Sequence, residues 1–216
     1  MSEEKKSEAP KSVIINKDEL QKVDGGSAGW VNGLLQVGNV TGTDGADRIQ
    51  GSVVFGWVGD TIDGGKGDDY IYSHGGDDMV QGGEGSDLIF AGTGNDTVNG
   101  GADNDIIYGN EGNDAINGGS GNDLLTGGDG ADRFVFDGNG GDDTIDDFAP
   151  SQGDRIQLCF AKNVVFNAGI QEISYTDQSG NRSTIWLHNG HFSGADMQNA
   201  IVDQFGNPVA ITCING

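Results

Sequence analysis

Between Gly42 and Ile145 one apolar residue returns at a near-constant interval: Ile49, Ile62, Ile71, Val80, Ile89, Val98, Ile107, Ile116, Leu125, Phe134 and Ile145. Each is preceded two places earlier by an aspartate, giving Asp47, Asp60, Asp69, Asp78, Asp87, Asp96, Asp105, Asp114, Asp123, Asp132 and Asp143. Most steps are nine residues, and glycine fills the intervals. The clearest copies are Gly64–Tyr72 (GGKGDDYIY), Gly82–Phe90 (GGEGSDLIF) and Gly118–Thr126 (GGSGNDLLT). A fixed short period of this kind marks a solenoid, in which each copy supplies one small unit of structure. The copy beginning at Gly51 carries about four extra residues, and the copy around Gly138 follows a two-residue interruption at Phe136 and Asp137. After the repeats, Ile173–His188 (ISYTDQSGNRSTIWLH) alternates on both sides of Gly180 and predicts a hairpin. Phe192–Val202 (FSGADMQNAIV) predicts a short helix capped by Ser193.

These copies follow the pattern G-G-x-G-x-D-x-U-x, so residues 42–146 resemble the repeats-in-toxin (RTX) family, whose repeat binds calcium. The resemblance implies an all-β chain, a right-handed parallel β-roll with a small C-terminal β-rich cap. Each copy then makes one turn and one strand, with its eighth residue pointing inward, and two copies complete a coil of 18 residues. In the family each calcium lies between turns stacked on the same side. Asp69 is therefore expected to share an ion with the turn holding Asp87, and Asp78 with the turn holding Asp96.

The residue types suit that role. Glycine allows positive φ and lets backbone carbonyls crowd an ion without Cβ clashes. The glycines so placed are Gly65, Gly67, Gly76, Gly83, Gly85, Gly92, Gly94, Gly101, Gly112, Gly119, Gly121, Gly128 and Gly130. Aspartate supplies a hard anionic oxygen on a short arm, as calcium prefers. Together with the eleven aspartates these glycines are the candidate metal site, for roughly six to eight Ca2+ ions. Copies that depart from the glycine rule are expected to bind less well. Asn110 and Asn139 are mild departures because Asn tolerates positive φ, and Asp103 is the more severe one.

Composition supports a cation-gated fold. The chain has 216 residues, 40 of them glycine and 3 proline, with 34% hydrophobic and 7% aromatic content, low for an ordinary core. Formal net charge is −23, which disfavours nucleic acid and anionic membrane surfaces as partners and attracts cations. From Thr41 to Phe148 there are 23 acidic and 3 basic residues, a net of −20. Stacked turns would set those carboxylates a few ångströms apart, so the ion-free chain is expected to be expanded, with calcium supplying the folding free energy by linkage. Calcium modules outside cells work at about 10⁻⁴ to 10⁻³ M, so folding is expected to be gated by export. The N-terminus lacks the apolar stretch of a cleavable signal, and nothing approaches transmembrane length. The resemblance implies type I secretion through an uncleaved C-terminal signal, hence an extracellular location.

Three parts are expected: 1–40, an N-terminal tail and apolar covering segment; 41–148, the calcium-binding roll; and 149–216, a cap and secretion region. On the odd-copy sheet the outward positions read Tyr70 and Tyr72, Leu88 and Phe90, Ile106 and Tyr108, Leu124 and Thr126. On the opposite sheet they are mostly polar. Parallel strands apolar on both sides are normally buried on both sides. Residues between Val13 and Val37 are the expected cover. The alternative is an intermolecular use of the Tyr72, Phe90 and Tyr108 face: self-association, or contact with a sugar or lipid. Cys159 and Cys213 read equally as a disulfide or as two buried thiols. His188 and His191 are a weak transition-metal pair, and His74, in place of a turn glycine, is expected to be exposed. No side chains outside the repeats form a recognisable catalytic arrangement. The leading functional expectation is a non-enzymatic, secreted calcium-binding protein of matrix, adhesion or surface type. The alternatives are the accessory module of a secreted protease, lipase, toxin or polysaccharide-modifying enzyme, or a small secreted protein that inserts into host membranes.

Overall fold

A computed structural model describes residues 30–32, 39–51, 59–137, 141–159, 161–176, 180–203, 206–209 and 212–214. The repeats form strands β1 (Trp30–Asn32), β2 (Asn39–Thr41), β3 (Arg48–Gln50), β4 (Thr61–Lys66), β5 (Tyr70–Tyr72), β6 (Met79–Glu84), β7 (Leu88–Thr93), β8 (Thr97–Ala102), β9 (Ile106–Glu111), β10 (Ala115–Ser120), β11 (Leu124–Asp129), β12 (Arg133–Phe136), β13 (Asp142–Ile145) and β14 (Arg155–Leu158). Odd-numbered strands stack in parallel as one sheet and even-numbered strands as the other. The result is a parallel β-roll of about six turns, as the nine-residue period predicts.

Register is held by the eighth position of each copy. Ile71 pairs with Ile89, Ile89 with Ile107, and Leu125 with Ile145 in one sheet. Across from them run Ile62, Val80, Val98, Ile116, Phe134 and Ile156. Every one of these side chains is buried. Burying a side chain of this size is worth about 1.5–3 kcal/mol, so two inward files of apolar residues hold the sheets together with little other core. A one-residue slip would turn each file outward. Ile49 still pairs with Ile71 across 22 residues, so the insertion predicted in the second copy leaves the strand register intact.

The remaining strands are β15 (Lys162–Asn167), β16 (Glu172–Thr176), β17 (Arg182–Leu187), β18 (Ile201–Asp203) and β19 (Thr212–Ile214). The hairpin expected around Gly180 is β16–β17, and β17 lies parallel to β13, so it prolongs the odd sheet. Of the helix expected within 192–202 only α1 (Gly194–Met197) forms, with Ser193 and Asp196 in a reciprocal capping box, while Ile201 and Val202 lie in β18 instead. Beyond it β18 adds to β14. Phe148 packs edge-on to both Phe134 and Phe192, closing the end of the coil, and one core runs through roll and cap. The rungs themselves continue to Leu158, because β14 stacks on β12 in register.

On the outer odd sheet the aromatic side chains pack on one another. Phe90 and Tyr108 stack with centroids 4.9 Å apart, Tyr72 meets Phe90 edge-on, and the Arg48 guanidinium lies 4.4 Å from the Tyr70 ring centre. Tyr70, Tyr72, Phe90 and Tyr108 are half-buried. The covering segment expected between Val13 and Val37 lies outside the described residues except for 30–32, whose backbone adds β1 beside β3.

Candidate metal centre

Each turn is built around its aspartate. The full-length strands, such as β6, run from the residue before the inward apolar one through the glycine pair, and the chain then turns so that the next aspartate enters the stack. All eleven predicted aspartates are buried. From Asp69 to Asp143, Oδ1 of each of nine aspartates accepts a backbone N–H from the aspartate one coil earlier. Asp47 donates to Asp69 at 2.7 Å, Asp60 to Asp78 at 2.6 Å, Asp69 to Asp87 at 2.8 Å and Asp78 to Asp96 at 2.7 Å. The same bond joins Asp87 to Asp105, Asp96 to Asp114, Asp105 to Asp123, Asp114 to Asp132 and Asp123 to Asp143. Asp69 and Asp87, and Asp78 and Asp96, are thus brought together as expected.

The second oxygen has no such partner. Oδ2 of Asp69, Asp78, Asp87, Asp96, Asp105, Asp114, Asp123 and Asp132 is buried and accepts no hydrogen bond. An unpaired buried carboxylate oxygen is costly, and here eight stand in two files. At the roughly 4.8 Å strand spacing, two like charges repel by about 3 kcal/mol at an effective dielectric near 20. The carboxyls are accordingly pushed up: Asp105 to about 8, Asp69, Asp96, Asp132 and Asp143 to about 7, and Asp78 and Asp87 to about 6. Asp114, Asp123 and Asp154 move the same way. Burial away from water is the main cause, and the N–H donated to Oδ1 acts against it.

Backbone oxygens crowd the same space. A Cβ added to Gly82 would collide with Asp87 Oδ2 and with the carbonyl of Gly100 in the next coil. Gly64, Gly100, Gly109, Gly118 and Gly127 stand in the same relation to Asp69, Asp105, Asp114, Asp123 and Asp132. These first glycines were not among the predicted site residues, although the GG doublets were visible in the sequence. The predicted ones all adopt positive φ, from +100° at Gly67 to +140° at Gly112. At Gly83 (φ +124°) an added Cβ would meet the Gly65 carbonyl. The result is a cradle of carbonyl oxygens around one carboxylate oxygen per turn. Among the described residues no three His, Cys, Asp or Glu side chains converge, so a cation here would be held largely by backbone. Such all-oxygen surroundings suit a hard, large cation.

The ends of the stack differ. Asp47 Oδ2 accepts from Thr43 N at 2.5 Å and from Thr43 Oγ1 at 2.9 Å. Asp154, absent from the predicted set, is buried, accepts from Asp132 N at 3.0 Å through Oδ1 and from Ala149 N at 2.8 Å through Oδ2. Its signal was the D-x-U spacing to Ile156, without the glycines. Asp147 bonds the N–H groups of Gly127 and Gly128.

Other candidates fare differently. Asp103 and Asn110 take positive φ, at 75° and 79°, and so fit the turn; Asn139 lies outside the described residues. His74 is half-buried rather than exposed, because its left-handed turn (φ 79°) places the ring 4.1 Å from that of Tyr72, edge-on. Its burial lowers the imidazole pKa. His188 Nδ1 faces Asp146 Oδ1 at 3.4 Å, and both His188 and His191 are exposed. Cys159 is a half-buried free thiol, and the Cys213 side chain lies outside the described residues.

A family model described as RTX calcium-binding nonapeptide repeat (4 copies) matches residues 56–89, 81–116 and 108–145. That segment therefore consists of RTX calcium-binding repeats. No curated protein matches the chain. Among solved structures, the extracellular lipase LipA from Serratia marcescens is similar at 17% identity with a TM-score of 0.24. The likeness covers 80% of this chain and 42% of the lipase chain, so this chain spans less than half of that protein.

Proposed function

We propose that these RTX repeats make the chain a secreted, non-enzymatic calcium-binding protein whose roll closes when several Ca2+ ions bind outside the cell. The observation that carries this reading is the set of eight buried Oδ2 atoms without a hydrogen-bond partner. Roughly six to eight ions would be held by Oδ2 of those aspartates together with turn carbonyls. Bound calcium supplies positive charge where the stacked carboxylates are held from water, and ions that bind only the closed form shift folding toward it. The remaining parts of the reading rest on the family's habits. They are type I export from 149–216 and a roll over 41–148; the apolar outward positions add either a covering segment in 1–40 or contact with a second copy, sugar or lipid through the Tyr72, Phe90 and Tyr108 face.

The test is far-ultraviolet circular dichroism during calcium titration of chelated protein, with ion stoichiometry measured alongside. A cooperative change from a disordered to a β spectrum near millimolar calcium, with several ions taken up, is expected. A spectrum that is already β in chelator, and does not change, would overturn the folding switch. Uptake of no calcium would overturn the whole reading.

A further inference from the structure

Arg133 and Arg155 occupy the same register position on adjacent parallel strands β12 and β14. Like charges directly opposite each other on neighbouring strands are destabilising. In a chain of net charge −23, acidic partners are abundant, and the exposed Lys66 and Arg182 pair with Glu84 and Glu172. Neither Arg133 nor Arg155 forms an ion pair within 4.0 Å among the described residues. On its other side Arg133 pairs with Ala115. Arg155 Nη1 donates to the carbonyls of Gly153 at 3.0 Å and Asp154 at 2.7 Å, which fixes the guanidinium plane and leaves its Nε and Nη2 donors over.

The two arginines line an open depression of about 420 Å³, walled by Gln157, Val202 and Gly206. Asp132 also borders it; its Oδ1 is engaged with the backbone N–H of Asp114, and its Oδ2 belongs to the calcium cradle, so the site is read in the calcium-loaded chain.

We infer that Arg133 and Arg155 form a binding site for one oxyanion, a carboxylate or sulfate carried by an otherwise neutral ligand. Two guanidinium forks side by side match a two-oxygen edge, and an anion between them converts the repulsion into two charge-assisted contacts. The chain's overall negative charge repels polyanions over longer distances, which limits the fit to a single charge. The depression adjoins the calcium stack at Asp132, but the proposal rests on the two arginines and not on the cradles.

The test is a binding titration of the calcium-loaded full chain, read by NMR at the arginine Nε–Hε signals. The probes are galacturonate, acetate, sulfate and neutral galactose. Shifts at Arg133 and Arg155 with galacturonate but not galactose are expected. If acetate and sulfate act as galacturonate does, the site reads the oxyanion alone; if only galacturonate acts, the sugar bearing it contributes. Arg133→Gln should weaken binding about tenfold or more, with Arg133→Lys in between. Equal binding of galactose, or unmoved arginine signals, overturns the proposal. So does unchanged affinity in an Arg133→Gln chain whose calcium-induced dichroism is normal. Should that variant not fold, the arginine signals of the unmodified chain decide alone.

Discussion

Asp87 is bound to Asp69 by one oxygen only: the backbone N–H of Asp69 donates to Asp87 Oδ1 at 2.8 Å, while Asp87 Oδ2, equally buried, accepts nothing. The two oxygens of one carboxylate thus do different work. Oδ1 ties consecutive coils together in the folded roll. Oδ2 leaves a charge that only a proton or a cation can satisfy in that position. The same division recurs along both edges of the roll, so the state of Oδ2 governs the whole stack.

The first prediction concerns pH without calcium. The turn carboxyls sit at about 6 to 8 in the folded roll, above the roughly 3.9 of an unfolded aspartate. The folded state therefore holds more protons than the unfolded one between those values, and stability falls as pH rises. Chelated protein is expected to show more β signal at pH 5 than at pH 8, the reverse of ordinary acid denaturation. In saturating calcium the roll should persist at pH 8, and its affinity should drop toward pH 5 as protons compete. Dichroism across that range checks both; a chelated chain that gains structure toward pH 8 contradicts the argument.

Interior and terminal aspartates should differ on substitution. Asp105 offers a free Oδ2, whereas Asp154 Oδ2 is already occupied by Ala149 N–H. Asp105→Asn keeps an acceptor for the Asp87 N–H but removes the charge. It should lower the measured calcium stoichiometry and raise the calcium midpoint of folding severalfold. Asp154→Asn should leave stoichiometry unchanged and cost about 1–3 kcal/mol of stability, because its NH2 replaces one of the two accepting oxygens and leaves a buried N–H unpaired. Calorimetric calcium titration of the two variants separates these outcomes.

Much of this was legible in the sequence because both the coil and the site obey one period. Asp69, Ile71 and Gly83 each repeat at 18 residues, so one reading of the chain fixed strand, turn and inward face together. What escaped was whatever left that period. Asp154 keeps the two-residue spacing to Ile156 but has no glycine pair before it, and it entered the stack through tertiary contact with Asp132. The first glycines, such as Gly82, escaped for another reason. Their need for glycine comes from the oxygens of Asp87 and Gly100, one of them a coil away, and not from their own backbone angles. The half-burial of His74 also escaped, because it comes from a left-handed turn that sets its ring edge-on to Tyr72, two residues before it.

That distinction between glycines is itself testable. At Gly83 alanine meets two obstacles, a φ of +124° and the Gly65 carbonyl. At Gly82 the obstacle is the crowded oxygen space alone, and at Gly45 nothing lies within 4 Å. Gly45→Ala should be neutral to within about 0.5 kcal/mol. Gly83→Ala and Gly82→Ala should each destabilise the calcium-loaded roll by more than about 1 kcal/mol. Only Gly82→Ala should also lower calcium stoichiometry, because its methyl would stand beside Asp87 Oδ2. Urea unfolding in calcium, paired with stoichiometry, tests all three.

A ladder of side chains outside the cradles offers the last contrast. Asn95 donates its backbone N–H to Asp77 at 2.7 Å, Asn113 to Asn95 at 3.0 Å, and Ala131 to Asn113 at 2.9 Å, each one coil apart. These are exposed, with no orphaned oxygen among them. They hold coils in register without presenting a site for an ion. Asn113→Ala removes an acceptor for Ala131 and a donor to Asn95, two exposed bonds worth about 0.5–1.5 kcal/mol each at most. The variant should therefore unfold earlier in urea by roughly 1–2 kcal/mol while binding as many calcium ions as the parent. If it lost an ion instead, the fifth position of the repeat would belong to the metal cradle, and the division of labour between neighbouring residues of each turn would have to be redrawn.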